Sequence, residues 1–184
     1  MPYADKPKQI IKSYEQLLII SNDLDISTDN FYSSTFLRYS IQGSSDNNMI
    51  INCIETKEDY WRSVVYDIKI IISRIKFLHK LNILDNQHML ETKYRQLYLQ
   101  IVDIITEFEK INKKFNICQI QFEDVVKFYN YIGSDASACK NLNLNFDIMK
   151  QNLNFFYQTV QTIENQLNSF MDEVGTPEWK LKYF

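Results

Sequence analysis

Residues 146–170 read FDIMKQNLNFFYQTVQTIENQLNSF and contain the most regular hydrophobic repeat of the chain. Its apolar residues recur at alternating intervals of three and four positions, which is the spacing of one helix face. They are Met149, Leu153, Phe156, Val160, Ile163, Leu167 and Phe170. The repeat predicts a long amphipathic helix. A coiled coil between two copies and a bundle within one chain use the same spacing, and we favour the bundle.

The composition of the rest of the chain predicts an all-α fold. Only three prolines and three glycines occur among 184 residues, and no proline lies between Pro7 and Pro177. Since proline interrupts helices and tight hairpins need glycine, this composition argues against a β-rich fold. An apolar content of 45% exceeds that of disordered chains, and a net charge of -3 gives no general attraction to nucleic acid.

Hydrophobic periodicity divides the chain into about six or more helices in a compact bundle, with two packed three-helix sub-bundles as one arrangement. We expect polar breaks near 21–23, 42–48, 82–85, 113–122 and 134–145. The long central helix is expected to begin at Thr56, because the sequence TKED at 56–59 resembles a capping box. The last helix is expected to begin at Phe146 and to end at Gly175. Residues 1–176 are interpreted as one helical domain.

The inner positions of these helices can be listed from the spacing of apolar residues. For the central helix they are Trp61, Val64, Val65, Ile68, Ile71, Ile72, Ile75 and Leu78, with Ile70, Phe77 and Leu81 widening the apolar sector. For the next helix they are Leu90, Tyr94, Leu97, Ile101, Ile104, Ile105, Phe108 and Ile111.

The sequence contains none of the common motifs for nucleotide, dinucleotide or zinc binding. Asp85 and His88 with Glu107 and Glu109 are the candidate metal ligands. Metal sites in bundles use paired Glu-x-x-His repeats, which this chain lacks, so we predict no metal and no cofactor. The cysteines are odd in number and widely spaced, and we interpret them as buried thiols in a reducing compartment: Cys53, Cys118 and Cys139.

One sequence pattern suggests an enzyme. Arg74 and His79 fit the R-x4-6-H signature of the HEPN ribonucleases, small all-helical domains whose Arg and His act on the RNA phosphate. Positions five apart lie about 140° apart around an ideal helix, so the pair does not share a face without local distortion. The competing interpretation places both side chains on the exposed side of the central helix.

The end of the chain, PEWKLKYF at 177–184, alternates aromatic and basic residues. Tryptophan and tyrosine beside lysine are typical of a membrane-water interface, which favours a membrane-proximal role for Trp179, Lys180, Lys182 and Tyr183. No run of about 18 apolar residues occurs up to Phe184, and the composition of the tail leads us to expect a membrane span after it. Alternatively, the tail folds back and buries Trp179 in the bundle.

The stretch YRQLYLQIVDI at 94–104 resembles a known family motif. It is similar to A-R-Y-A-L-C-A-L-L-D-E, the most repeated motif of the TssL/DotU (IcmH-like) proteins of type VI and type IVB secretion systems, and it keeps Arg95 and Asp103 eight residues apart. Pro177-Glu178-Trp179 is similar to the Pro-x-Trp that precedes the membrane span in that family. Ile104 departs from the motif, which has an acidic residue there.

The resemblance implies a non-enzymatic structural component at the cytoplasmic face of the bacterial inner membrane. Its implied partners are an IcmF-like membrane protein, baseplate components and a second copy, with no nucleic acid. The alternatives are the ribonuclease and a cytoplasmic helical adaptor. Independently of the family, Arg95 and Asp103 lie about 12 Å apart along an ideal helix and cannot pair. Asp103 is therefore expected either to bond to a neighbouring helix or loop, or to be solvated.

Overall fold

The computed structural model describes the backbone of residues 2–36, 47–80, 91–131 and 137–174, and the side chains of 8–36, 56–78, 94–131 and 139–172. The described residues form four α-helices and no strand: α1 (Pro2–Ser34), α2 (Asn47–Lys80), α3 (Glu91–Tyr131) and α4 (Ser137–Val174). The all-α class is confirmed, and the prediction of six or more helices is wrong.

The predicted break at 21–23 is wrong because α1 continues through it. Ser21 is fully buried, whereas Asn22 and Asp23 are exposed, so the three polar residues follow the helical alternation of inner and outer positions. Further along, the Thr28 hydroxyl donates to the carbonyl of Leu24 at 2.6 Å, which satisfies a polar group on the buried side of the helix.

The predicted start of the central helix is also wrong. Thr56 and Asp59 are exposed residues inside α2, which begins at Asn47. A polar residue followed three positions later by an acid matches one turn of any helix, so the motif alone does not mark a beginning. In α3 the predicted break between 113 and 122 is wrong for a similar reason, because Phe115 and Cys118 keep the buried face continuous.

The final helix starts earlier than predicted. Ser137 begins α4, and Cys139 and Leu142 are buried, so the inner face extends upstream of Phe146. The loop predicted over 134–145 is therefore wrong from residue 137 onward. All seven residues of the repeat in 146–170 are buried, with exposures of 0–1%, which confirms the predicted inner face. The predicted breaks at 42–46 and 82–85 lie outside the described residues, whereas residues 47 and 48 belong to α2.

The chain divides into two compact units that are interleaved in sequence. Unit 1 comprises Met1–Asn22, Ile71–Phe108 and Asn154–Phe184, and unit 2 comprises Asp23–Ile70 and Glu109–Leu153. Each of the four helices contributes one segment to each unit. The suggested pair of three-helix sub-bundles is therefore wrong.

The core of unit 2 is an aromatic cluster around Phe146. Its ring lies 4.9 Å from Phe31, 5.1 Å from Phe122 and 5.5 Å from Phe115, measured between centroids. Trp61 approaches the same ring edge-on at 6.1 Å. These rings come from all four helices, so the cluster joins every segment of the unit through tilted and edge-to-face contacts.

Unit 1 has a core of aliphatic and aromatic side chains. Tyr94 packs against Phe170 with centroids 4.6 Å apart, and Phe108 packs against Phe156 at 5.6 Å, which joins α3 to α4. The buried Tyr14 hydroxyl of α1 donates to the carbonyl of Ile75 in α2 at 2.5 Å. Burial raises the pKa of Tyr14 above its usual range, because the phenolate would lose its hydration there.

The predicted inner positions of α2 and α3 are largely confirmed. The eight listed first for the central helix are all buried, as are Tyr94, Leu97, Ile101, Ile104, Phe108 and Ile111 in α3. Ile105, which was also predicted to face inward, is only partly buried. Ile70 and Phe77 are 42% and 61% exposed, so the apolar sector of α2 does include outward positions. Leu81 and Leu90 lie outside the described residues.

Candidate functional site

Two residues that the sequence suggested for different reasons meet in unit 1. Arg74 of α2 donates through Nη2 to Oδ2 of Asp103 in α3 at 2.6 Å, and the same nitrogen lies 3.4 Å from Oε1 of Gln100. The Arg74 side chain is 28% exposed and that of Asp103 is 61% exposed. Asp103 was expected either to bond to a neighbouring element or to be solvated. It does both, because its carboxylate bonds to α2 while most of the side chain is exposed.

Within the described ranges, no hydrogen bond or ion pair joins this pair to another predicted site residue. Arg95 is exposed, in the part of α3 that belongs to unit 1. The His79 side chain lies outside the described residues, as do Asp85, His88 and the tail residues Trp179, Lys180, Lys182 and Tyr183. Glu107 is partly buried and Glu109 is exposed on α3. Within the described ranges no three His, Cys, Asp or Glu residues are grouped closely enough to hold a metal ion.

Unit 2 carries an apolar surface that was not predicted from the sequence. The outer face of α3 carries large side chains that point away from the core: Ile117, Ile120, Phe128 and Tyr131, with exposures of 46%, 61%, 44% and 89%. They recur at helical intervals on the side opposite Phe115, Cys118, Phe122, Val125 and Tyr129. We call this surface, residues 109–131 on the outer side of α3, the outer α3 face.

Two grooves adjoin the C-terminal end of the outer α3 face, and Lys127 lines both. One groove of about 650 Å³ is lined by Lys57, Asp124, Lys127, Phe128 and Tyr131. The other, of about 580 Å³, lies toward α4 and is lined by Phe122, Glu123, Val126, Lys127, Cys139, Lys140 and Asn143. Apolar surface beside both charge signs is the usual character of a protein-binding surface.

Neither of the two cysteines with described side chains is suited to act as a nucleophile. Cys118 and Cys139 are free and buried, which confirms that these two are buried thiols, whereas the side chain of Cys53 lies outside the described residues. Burial raises the pKa of the Cys118 thiol to about 12, and it also raises the pKa of Cys139. Thiols with raised pKa values hold little thiolate at neutral pH and react slowly.

A charged and aromatic cluster joins α1 to α2 in unit 2. The guanidinium of Arg62 lies 4.5 Å from the ring centroid of Phe36 and 5.9 Å from that of Tyr32. The same group lies 3.6 Å from a carboxylate oxygen of Glu58, whose side chain is fully buried. Arg62 thus places a positive charge against a buried carboxylate and an aromatic surface, which is a structural rather than a chemical role.

Comparison of the chain with family models, with curated proteins and with solved structures found no match. Across the described ranges, no helix contains a stretch that is both long and apolar enough to cross a membrane.

Proposed function

We propose that this protein is non-enzymatic and works by protein-protein contact through the outer α3 face. The observation that supports this is the outward position of Ile117, Ile120, Phe128 and Tyr131 along one side of one helix. Scattered apolar residues are ordinary on protein surfaces, whereas several large apolar side chains aligned on one helix face beside grooves are typical of an interaction site. Tyrosine and phenylalanine are also enriched in the centres of such interfaces.

The family resemblance supports a more specific form of this proposal. In it, the chain is the cytoplasmic part of an inner-membrane-anchored component of a type VI or type IVB secretion system. Its partners are an IcmF-like membrane protein and baseplate components, and a span after Phe184 anchors it. The support is the motif with Arg95 and Asp103 in α3 and the aromatic and basic tail sequence.

The ribonuclease alternative stays a prediction. Arg74 already donates to Asp103, so an RNA phosphate would have to compete with that carboxylate for the guanidinium. An RNA cleavage assay on the purified chain tests the alternative, with Arg74→Ala and His79→Ala as variants. Cleavage that both variants abolish would overturn the non-enzymatic proposal.

Site-specific photo-crosslinking in the native host tests the proposed contact surface. A benzophenone amino acid replaces Tyr131 in one variant and Lys150, an exposed residue of α4, in the control. We expect discrete adducts from position 131 only, and mass spectrometry identifies the partner. A secretion-system membrane or baseplate protein would support the specific form. The absence of adducts from position 131 would overturn the proposal.

A further inference from the structure

The outer α3 face has an internal symmetry. Lys113, Ile117, Ile120 and Asp124 follow one another at intervals of four, three and four residues, so the spacing is the same in both directions. At about 100° and 1.5 Å per residue, the four positions lie within about 60° of one another around the helix. Lys113 and Asp124 then lie about 8 Å on opposite sides of the midpoint between the two isoleucines.

All four side chains are exposed, and the charges of Lys113 and Asp124 are available to a partner. Lys113 and Asp124 form no hydrogen bond or ion pair with any residue in the described ranges. The neighbouring Lys114 differs, because its Nζ donates to Oδ2 of Asp67 at 2.9 Å within unit 2. The stripe therefore presents one positive charge, two aliphatic side chains and one negative charge in that order.

We propose that a second copy of this chain packs on the outer α3 face, with the two α3 helices antiparallel about a two-fold axis at the midpoint between Ile117 and Ile120. An axis at this place brings each Ile117 opposite the partner's Ile120. It also brings each Lys113 opposite the partner's Asp124, so that two ion pairs bracket the apolar contact. A two-fold interface repeats every contact twice, which makes a self-complementary stripe effective.

Charge complementarity selects the second copy and its orientation. A parallel pair of α3 helices in register would place Lys113 against lysine and Asp124 against aspartate, and like charges across an interface oppose association. The order of charges along α3 is therefore complementary to a second α3 that runs antiparallel, and not to one that runs parallel.

The inference rests on the proposed function, because it uses the same surface, and it names a second copy of the chain as one partner of that surface.

Sedimentation velocity of the purified full chain at low salt measures the association. Asp124→Lys and Lys113→Asp are each expected to raise the dimer dissociation constant at least tenfold, because each creates two like-charge contacts. The double variant Lys113→Asp/Asp124→Lys restores opposite pairing and is expected to recover dimerisation.

An apolar pair of variants separates the interface from general surface effects. Ile120→Asp is expected to abolish dimerisation, whereas Ile26→Asp, at a residue of α1 with a similar exposure of 62% against 61%, leaves it unchanged. Circular dichroism melts establish that each variant is folded.

Two outcomes overturn the inference: a wild-type chain that stays monomeric up to its solubility limit, and a double charge reversal that fails to restore the dimer. A monomeric chain that still crosslinks to another protein through position 131 would overturn the inference alone and leave the proposed function standing. A dimer with intact charge rescue supports the inference whatever the host crosslinking shows.

Discussion

Arg74 and Asp103 form an ion pair between α2 and α3, with Nη2 and Oδ2 2.6 Å apart. The sequence associated Arg74 with RNA chemistry and Asp103 with a structural motif, and in the folded chain each is the partner of the other. A guanidinium that holds a carboxylate has less attraction for a phosphate. The pair is therefore better suited to joining two helices than to acting on a substrate.

Removing the Asp103 carboxylate is expected to destabilise the protein slightly. Asp103→Ala breaks an ion pair whose members are 28% and 61% exposed, and water screens such pairs. We expect a loss of about 0.2–1 kcal/mol in the free energy of unfolding, measured by urea denaturation at low salt. A double-mutant cycle with Arg74→Ala isolates the pair interaction. Asp147→Ala, at an exposed residue of α4, is the control, and an equal effect in both variants would contradict the pairing.

Removing the Phe146 ring is expected to destabilise unit 2 strongly. The ring is fully buried and contacts rings from the other three helices, so Phe146→Ala leaves a cavity that the surrounding rings cannot close. The expected loss is about 3–5 kcal/mol in the free energy of unfolding. Phe155→Ala, at a residue of the same helix that is 47% exposed, is expected to lose less than about 1 kcal/mol. Similar midpoints of thermal unfolding for the two variants would disagree with this assignment of the core.

The sequence predicts the buried faces well and the helix ends poorly, for one physical reason. The buried face of a helix can be predicted from the spacing of its apolar residues, as at Trp61 and Ile104. The end of a helix depends on which polar residues lie beyond the last turn, and the sequence does not separate those from polar residues within the helix. Ser21 and Leu142 show the difference. The polar Ser21 led to the prediction of a helix break, and the asparagines around Leu142 led to the prediction of a loop. Both residues are buried on the inner face of a continuous helix.

The outer α3 face was not predicted, because exposure depends on the helix register. With a break expected near Lys113, the isoleucines at 117 and 120 fall in a connecting segment and have no assigned face. Once α3 is continuous from Glu91 to Tyr131, its core positions are fixed and Ile117 and Ile120 lie on the opposite side. The sequence does contain a signal for this face: a second set of apolar residues in α3, whose positions around the helix differ from those of the buried set.

Alkaline pH is expected to destabilise the protein partly through Cys118. Burial raises the pKa of this thiol from 9.0 to about 12, so between these values the unfolded chain releases the proton and the folded chain retains it. Unfolding is then favoured by up to about 1.4 kcal/mol per pH unit, whereas below pH 9 the thiol contributes no pH dependence. Tyr94, whose pKa burial raises to about 12, acts in the same direction.

Urea denaturation of the wild type and Cys118→Ala between pH 8 and pH 11 measures this contribution. The alanine variant has a lower stability at pH 8, because it loses a buried side chain, and a shallower decline above pH 9. Glu123→Ala, at an exposed residue of the same helix, is expected to keep the wild-type slope. Parallel declines for the wild type and Cys118→Ala would show that the thiol does not titrate differently on folding.

Replacing Arg62 separates its charge from its shape. Arg62→Lys keeps the charge near the buried Glu58 and loses the planar group 4.5 Å from Phe36, so we expect a loss of about 0.5–1 kcal/mol in the free energy of unfolding. Arg62→Met removes the charge as well and is expected to lose more, up to about 3–5 kcal/mol, because the buried Glu58 carboxylate loses a cation. Glu58→Gln in the methionine background should then recover part of the loss in urea denaturation. If the Arg62→Lys and Arg62→Met variants unfold at the same urea concentration, the charge of Arg62 does not stabilise Glu58.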